Sequence, residues 1–214
     1  MLKRFALLAA PFLLANAPLE EVSPPPEPPV LDPQVTLAVI ETTMGSITVA
    51  LETERAPVTA NNFLRYADEQ RFDGTVFYRS MHLDWGTPPN GLIQGGVQMA
   101  YDKVLPPIAH EPTSETGVLH KAGTLSMARY EPGTATADFS ILLADQPAMD
   151  ADPDADDPEI RAGYAAFGHV VEGMEVVRAI FEAPRSPTRG EGWMKGQMLE
   201  DPVRILSVRR AAED

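Results

Sequence analysis

From residue 35 onward the chain alternates between apolar and polar or small positions. Val35, Leu37 and Val39 are separated by Thr36 and Ala38, and Ile47, Val49 and Leu51 by Thr48 and Ala50. A period of two places the larger side chains on one face of an extended strand. The two runs flank Thr43-Met44-Gly45-Ser46 and predict a hairpin of two half-buried strands. The period then changes. After Ala56, the stretch PVTANNFLRYADEQ has Pro57 suited to a first helical turn and Val58, Phe63, Leu64 and Ala67 able to form a packing face, which predicts a helix. Arg71-Phe72-Asp73-Gly74 reads as a turn into TVFYRSM, whose β-branched and aromatic residues favour a strand. Further strands are predicted over 92–99, 123–128, 137–143, 165–171 and 203–209, and a second helix over 173–181. Many short strands punctuated by Gly and Pro point to a closed antiparallel barrel or a sandwich, because a sheet of that size has to hide its edges.

The ends and one internal segment fall outside this pattern. Lys3 and Arg4 precede an apolar run from Phe5 to Leu14, and Ala15-Asn16-Ala17 carries small residues where a signal peptidase reads. Residues 1–17 are therefore expected to be a cleaved secretory signal; a run of about ten residues is too short for a membrane span of about twenty. Residues 18–33, PLEEVSPPPEPPVLDP, form a proline-rich linker that favours an extended tether. The folded domain is expected over 34–212. Residues 145–160 combine acids and prolines with little apolar content and read as an exposed loop. Asp152, Asp154 and Asp156 have the spacing of a calcium loop, but Asp157 stands where a turn glycine belongs and Gly163 where a bidentate glutamate belongs.

Charge and composition narrow the function. The 17 Lys and Arg against 31 Asp and Glu give a formal charge of -14, which repels nucleic-acid backbones and anionic lipid surfaces. With no cysteine there is no disulfide and no thiolate chemistry. His82, His110, His120 and His169 lack the paired spacing of a helix-borne metal site, and neither a Gly-x-Ser-x-Gly elbow nor a phosphate-binding glycine loop occurs. What remains is the sheet. Alternation would place Phe77, Arg79 and Met81 on one face of one strand and Leu92 and Gln94 on one face of another, so that an arginine and a glutamine share a groove.

The order of motifs adds to this. Phe77-Tyr78-Arg79, Leu92-Ile93-Gln94-Gly95-Gly96, Gly123-Thr124-Leu125-Ser126-Met127-Ala128, Asp138-Phe139 and Phe167-Gly168-His169-Val170-Val171-Glu172-Gly173-Met174 follow one another along the chain. This collinear set resembles the cyclophilin family from about Val35 to Arg209. The resemblance implies a mainly β fold, an eight-stranded antiparallel closed β-barrel capped by two α-helices, with a proline-binding groove on its outer wall. It implies a peptidyl-prolyl cis-trans isomerase that needs no metal or organic cofactor. By the same resemblance Arg79 is the catalytic arginine and Gln94 the groove glutamine. Leu92, Ala128 and Phe139 fall at or beside pocket positions, and Tyr164 falls where many members carry a groove histidine.

Three departures from the family pattern concern the apolar pocket. Gly91 stands where a pocket phenylalanine is usual, Ser140 replaces the phenylalanine of the pocket floor, and no aromatic residue near Glu159-Ile160 matches the remaining wall. The longer stretch between Arg79 and Gln94 contains Trp85, which either supplies a replacement wall or packs on the barrel surface. Two functions follow. One is an isomerase of X-Pro bonds that assists the folding of exported proteins, periplasmic or secreted, monomeric, binding proline-containing peptides and unfolded chains. The other is a catalytically weak cyclophilin-like binding module or chaperone.

Overall fold

The computed structural model describes residues 35–86, 89–98 and 100–212; the signal and linker expected over 1–33 lie outside them. Among these residues eight strands form: β1 (Thr36–Thr42), β2 (Gly45–Leu51), β3 (Val76–His82), β4 (Gly91–Gly96), β5 (Thr124–Met127), β6 (Phe139–Leu142), β7 (Ala166–Glu172) and β8 (Met198–Arg210). They close into a barrel in the order β1-β2-β7-β5-β6-β4-β3-β8, with β8 returning to β1 and every neighbouring pair antiparallel. Closure leaves no free sheet edge, which selects the barrel over the sandwich. Two longer helices, α1 (Pro57–Asp68) and α4 (Met174–Glu182), pack on the barrel, and two single turns, α2 (Thr113–Thr116) and α3 (Pro158–Ala162), lie in the connections. No described helix is long and apolar enough to cross a membrane.

The predicted hairpin forms, but β1 buries the opposite face from the one its larger residues suggest. Ala38 and Ile40 are fully buried, while Leu37 and Val39 are only partly so. The register explains this: Ala38 lies opposite Val49 and Ile40 opposite Ile47, and paired residues of antiparallel strands share a face. β2 turns Ile47, Val49 and Leu51 inward and takes Ala38 and Ile40 with them.

Helix α1 buries Phe63, Leu64, Tyr66 and Ala67 as its period requires, whereas Val58 remains 41% exposed and is not part of the packing face. Its first turn lacks a side-chain cap of its own. The Glu111 carboxylate accepts hydrogen bonds from the backbone N–H of Val58 (3.0 Å) and Thr59 (2.6 Å), and from the Thr59 hydroxyl (2.6 Å). A negative group at the positive end of a helix satisfies two otherwise unpaired donors. The Phe63 ring meets Phe72, Phe139 and Phe167 at centroid separations of 4.9, 5.2 and 5.6 Å, forming an aromatic centre inside the barrel. Helix α4 contributes Val176, Val177, Ile180 and Phe181 to the core and begins at Gly173, where any Cβ would lie 2.4 Å from the Ser46 carbonyl oxygen.

One sequence expectation changes here. β8 begins five residues earlier than the predicted 203, through Glu200, Asp201 and Pro202, residue types that strands disfavour; pairing of Met198 with Arg79 extends it. The segment 145–160 is exposed over most of its length, as expected, and is held at two points. Gln146 is buried and donates to the Gly91 carbonyl oxygen at 3.1 Å, and the Asp157 carboxylate caps α3 by accepting from the Glu159 N–H at 2.8 Å.

Candidate active site

The site is created by an irregularity in β3. Phe77 pairs with Gly95 and Arg79 with Gln94, so Tyr78 is an extra residue that shifts the register. Strict alternation would have put Phe77 and Arg79 on one face. The bulge instead sends Phe77 into the core, edge-on to Phe139, and turns Arg79 outward. Cross-strand pairing then aligns Arg79, Gln94, Ser140 and Ser126 as a polar row over β3, β4, β6 and β5. Beside it, Met81, Leu92 and Leu142 form a parallel apolar row.

Arg79 is only 4% exposed although it faces the outer wall. Its Nη1 donates to Gln94 Oε1 at 2.5 Å and its Nε to Gln197 Oε1 at 2.9 Å. The Trp193 ring lies against the guanidinium, 4.5 Å from Cζ to the ring centroid. Nη2 is buried and meets no acceptor among the described residues. Burial pushes the Arg79 pKa below its ordinary value, with the Tyr78 and Tyr164 phenols acting in the opposite direction. A guanidinium nonetheless keeps its proton in a protein.

Next to the arginine, the Tyr78 hydroxyl donates to Asp138 Oδ2 at 2.8 Å, and the Gln98 N–H donates to Asp138 Oδ1 at 3.0 Å. Burial raises the pKa of Asp138 against these hydrogen bonds, and burial with the adjacent carboxyl raises that of Tyr78. At the far end of the row, His120 donates from Nδ1 to Asp150 Oδ1 at 2.7 Å, which leaves Nε2 to accept from the Ser126 hydroxyl at 2.8 Å. Burial lowers the His120 pKa, opposed by Asp150. This order has the connectivity of an acyl-transfer triad, but Ser126 is 1% exposed and lies within the sheet, so the group acts as a strut.

Of the residues singled out from sequence, Arg79, Gln94, Leu92 and Ser140 come together on the outer wall. Tyr164 is near enough for its phenol to influence Arg79, and the Arg129 guanidinium stacks on its ring at 4.7 Å. Ala128 follows β5, its N–H donating to the Asp138 carbonyl oxygen at 2.8 Å. Phe139 does not belong to the groove: it is fully buried inside the barrel, as the alternation of β6 requires once Ser140 faces outward. Gly91 cannot be exchanged for the family's aromatic without rebuilding, because a Cβ there would lie 1.9 Å from the Met81 carbonyl oxygen. Trp85 is 54% exposed, and the ring that meets Arg79 is Trp193 instead.

Sequence reasoning missed Trp193, Gln197 and Arg129. The Arg129 side chain, 2% exposed, donates to the Gly163 carbonyl oxygen at 2.7 Å and pairs with Glu159 at 2.9 Å, anchoring the segment that carries Tyr164. Nothing in local periodicity marks any of the three. Among the described residues no group of three or more His, Asp or Glu converges as a metal-ligand set.

Comparison with known proteins is consistent with this geometry. The profile of the family described as cyclophilin type peptidyl-prolyl cis-trans isomerase/CLD matches residues 37–210. A peptidyl-prolyl cis-trans isomerase of Acinetobacter baylyi is 35% identical over 178 residues, covering 81% of this chain and 85% of the relative. Peptidyl-prolyl cis-trans isomerase A of Dickeya dadantii is 34% identical over 68% of this chain and 70% of its own length. A crystal structure of a Cryptosporidium parvum cyclophilin type peptidyl-prolyl cis-trans isomerase superposes with a TM-score of 0.61 at 18% identity, over 84% of this chain and 99% of that one. The same protein, solved in the presence of the dipeptide Ala-Pro, gives 0.60 at 18% identity, over 83% and 99%. With its barrel, its Arg79–Gln94 pair and a profile match over most of its length, the chain belongs to the cyclophilin-type peptidyl-prolyl cis-trans isomerases.

Proposed function

We propose that this chain isomerises X-Pro bonds in proline-containing segments of exported proteins, with Arg79 as the catalytic donor and Gln94 holding it. One observation carries the reading: Arg79 Nη2 is a charged donor, buried, without an acceptor of its own. Leaving such a group unpaired costs about 1–3 kcal/mol, more when charged, and a native structure retains it only for a reason. A substrate acceptor at Nη2 would relieve that cost.

The chemistry asks for such a donor. Rotation about a peptide bond has to overcome amide resonance, a barrier of about 18–20 kcal/mol. As the bond twists, the prolyl nitrogen becomes pyramidal and its lone pair is released. A donor beside that nitrogen stabilises the twisted state more than the planar one, which lowers the barrier without a nucleophile or a proton transfer. In a site shielded from water the stabilisation is larger than in solution. The guanidinium keeps its charge throughout, and beside it the partly buried Met81, with the edge of Leu92, is the apolar surface left for the proline ring, since Leu142 is fully buried.

Gly91 and Ser140 favour the second reading, a module that binds proline peptides without useful turnover, since aromatic rings that bury about 150–250 Å² each are missing from the pocket. NMR exchange spectroscopy on a short X-Pro peptide separates the two. The parent is expected to accelerate exchange, Arg79→Ala to lose about 10²–10³-fold in kcat/KM, and Arg79→Lys to retain the fold without restoring the rate. A parent that broadens the peptide signals by binding but leaves the exchange rate unchanged would establish the binding module instead. Export is supported by Lys3, Arg4, the apolar run that follows and Ala15-Asn16-Ala17. N-terminal sequencing of the extracytoplasmic product should begin at Pro18, leaving residues 18–33 as the tether of the domain.

A further inference from the structure

We infer that Gln197 and Trp193 are positioning residues for the isomerase reaction, fixing the Arg79 guanidinium so that Nη2 alone is left to meet substrate. The inference rests on the reading of Arg79 as the catalytic donor. A guanidinium held at a single nitrogen can swing about that contact. Here Gln94 takes Nη1 from β4, and Gln197 takes Nε from the connection that leads into β8. Two acceptors from separate parts of the fold fix the direction of the group within its plane. Contact of one face with the Trp193 ring, at 4.5 Å, restrains its tilt.

Gln197 is itself held rather than adaptable. Its Nε2 donates to the Trp193 carbonyl oxygen at 2.9 Å, which settles the amide so that Oε1 faces Arg79. Its backbone N–H donates to the Met194 carbonyl oxygen at 3.0 Å, and its carbonyl oxygen accepts from the Ser80 N–H, one residue beyond the arginine, at 2.9 Å. The short helical turn Gly192–Met194 and Gln197 thus form one unit pinned to β3 at the arginine. Trp193 is 71% exposed, so its ring serves no core; the contact that defines its place is the guanidinium. Loss of the unit should act through Arg79, lowering kcat with little effect on KM, because a misdirected donor fails in the twisted state while ground-state binding of the peptide is untouched.

The experiment uses the full chain and two readouts: isomerisation kinetics, resolved into kcat and KM, and the Nε–Hε NMR signal of Arg79. Gln197→Ala is expected to lower kcat about tenfold with KM nearly unchanged, and to shift or exchange-broaden the Arg79 signal. Trp193→Ala should have a smaller effect that Trp193→Phe largely restores. In an Arg79→Ala background, Gln197→Ala should cause no further loss. An unaltered Nε–Hε signal in folded Gln197→Ala, or an equal rate loss with and without Arg79, would overturn the inference. Gln197→Asn, which keeps the amide and withdraws it by one methylene, stands in if the alanine variant does not fold. Should the parent show no isomerisation, the catalytic reading fails, and the signal still decides whether Gln197 holds the arginine.

Discussion

The two rows on the outer wall of the barrel are held very differently. Along the polar row, Arg79 is buried, hydrogen-bonded at two nitrogens by residues from separate elements and covered on one face by an indole. On the apolar side there is little to hold a ring: Met81 is partly buried, Leu92 and Leu142 are buried, and of the family's aromatic positions Ser140 belongs to the polar row while Gly91 lies on the inward face with Ile93. The contrast separates two tasks. A donor to the prolyl nitrogen acts mainly on the twisted state and depends on direction, so it tolerates little slack. A pocket for the ring binds planar and twisted substrate alike, so reducing it raises KM more than it lowers kcat.

The strongest way to break this comparison is to add bulk behind the apolar row, at Gly91, which faces the core residue Phe181. Gly91→Ala places a Cβ 1.9 Å from the Met81 carbonyl oxygen and 2.7 Å from the Phe181 ring. It is expected to destabilise the fold by at least about 3 kcal/mol, read from urea denaturation. A cost within experimental error would show that β3, β4 and Phe181 yield to a side chain at this position.

A pH series sharpens the comparison, because Arg79 stays charged where buried histidines do not. Burial holds His82 and His120 below the ordinary histidine value of 6.5. The unfolded chain therefore binds these protons more readily than the fold. Their contribution is complete above about pH 6.5 and is lost as pH falls from there toward their folded values. His120→Gln should flatten part of the decline in unfolding midpoint between about pH 7.5 and 5.5. Turnover of the folded protein should stay level across the same window. A rate that follows the histidine titration would mean that the His120–Ser126 strut reaches the catalytic end of the polar row.

The smallest expected effect is at Trp85. Since the ring against Arg79 is Trp193, Trp85→Ala should leave kcat and KM within about twofold. A large rise in KM would return Trp85 to the groove as the missing wall.

Much of this architecture was legible in the chain itself. The alternation of 47–51, the helical period after Pro57 and the spacing of Arg79 and Gln94 all depend on residues close in sequence, and each appears in the fold. The helix cap supplied by Glu111 could not be read, because it joins positions 52 and 53 residues apart. Which face β1 buries was equally hidden, since Leu37 and Val39 outweigh Ala38 by size and only pairing with β2 decides against them.

By itself the sequence determined the strand and helix periods, the order of motifs and the two side chains, Arg79 and Gln94, at the catalytic end of the polar row. These follow from backbone sterics and local alternation, which act between near neighbours. The tertiary structure decided that Tyr78 bulges, that Arg79 and not Phe77 faces outward, and that Gln197, 118 positions along the chain, takes the arginine's Nε. Those choices depend on closure of the barrel, which brings distant residues to hydrogen-bonding distance and sets, by the contacts already used, which donor remains for substrate.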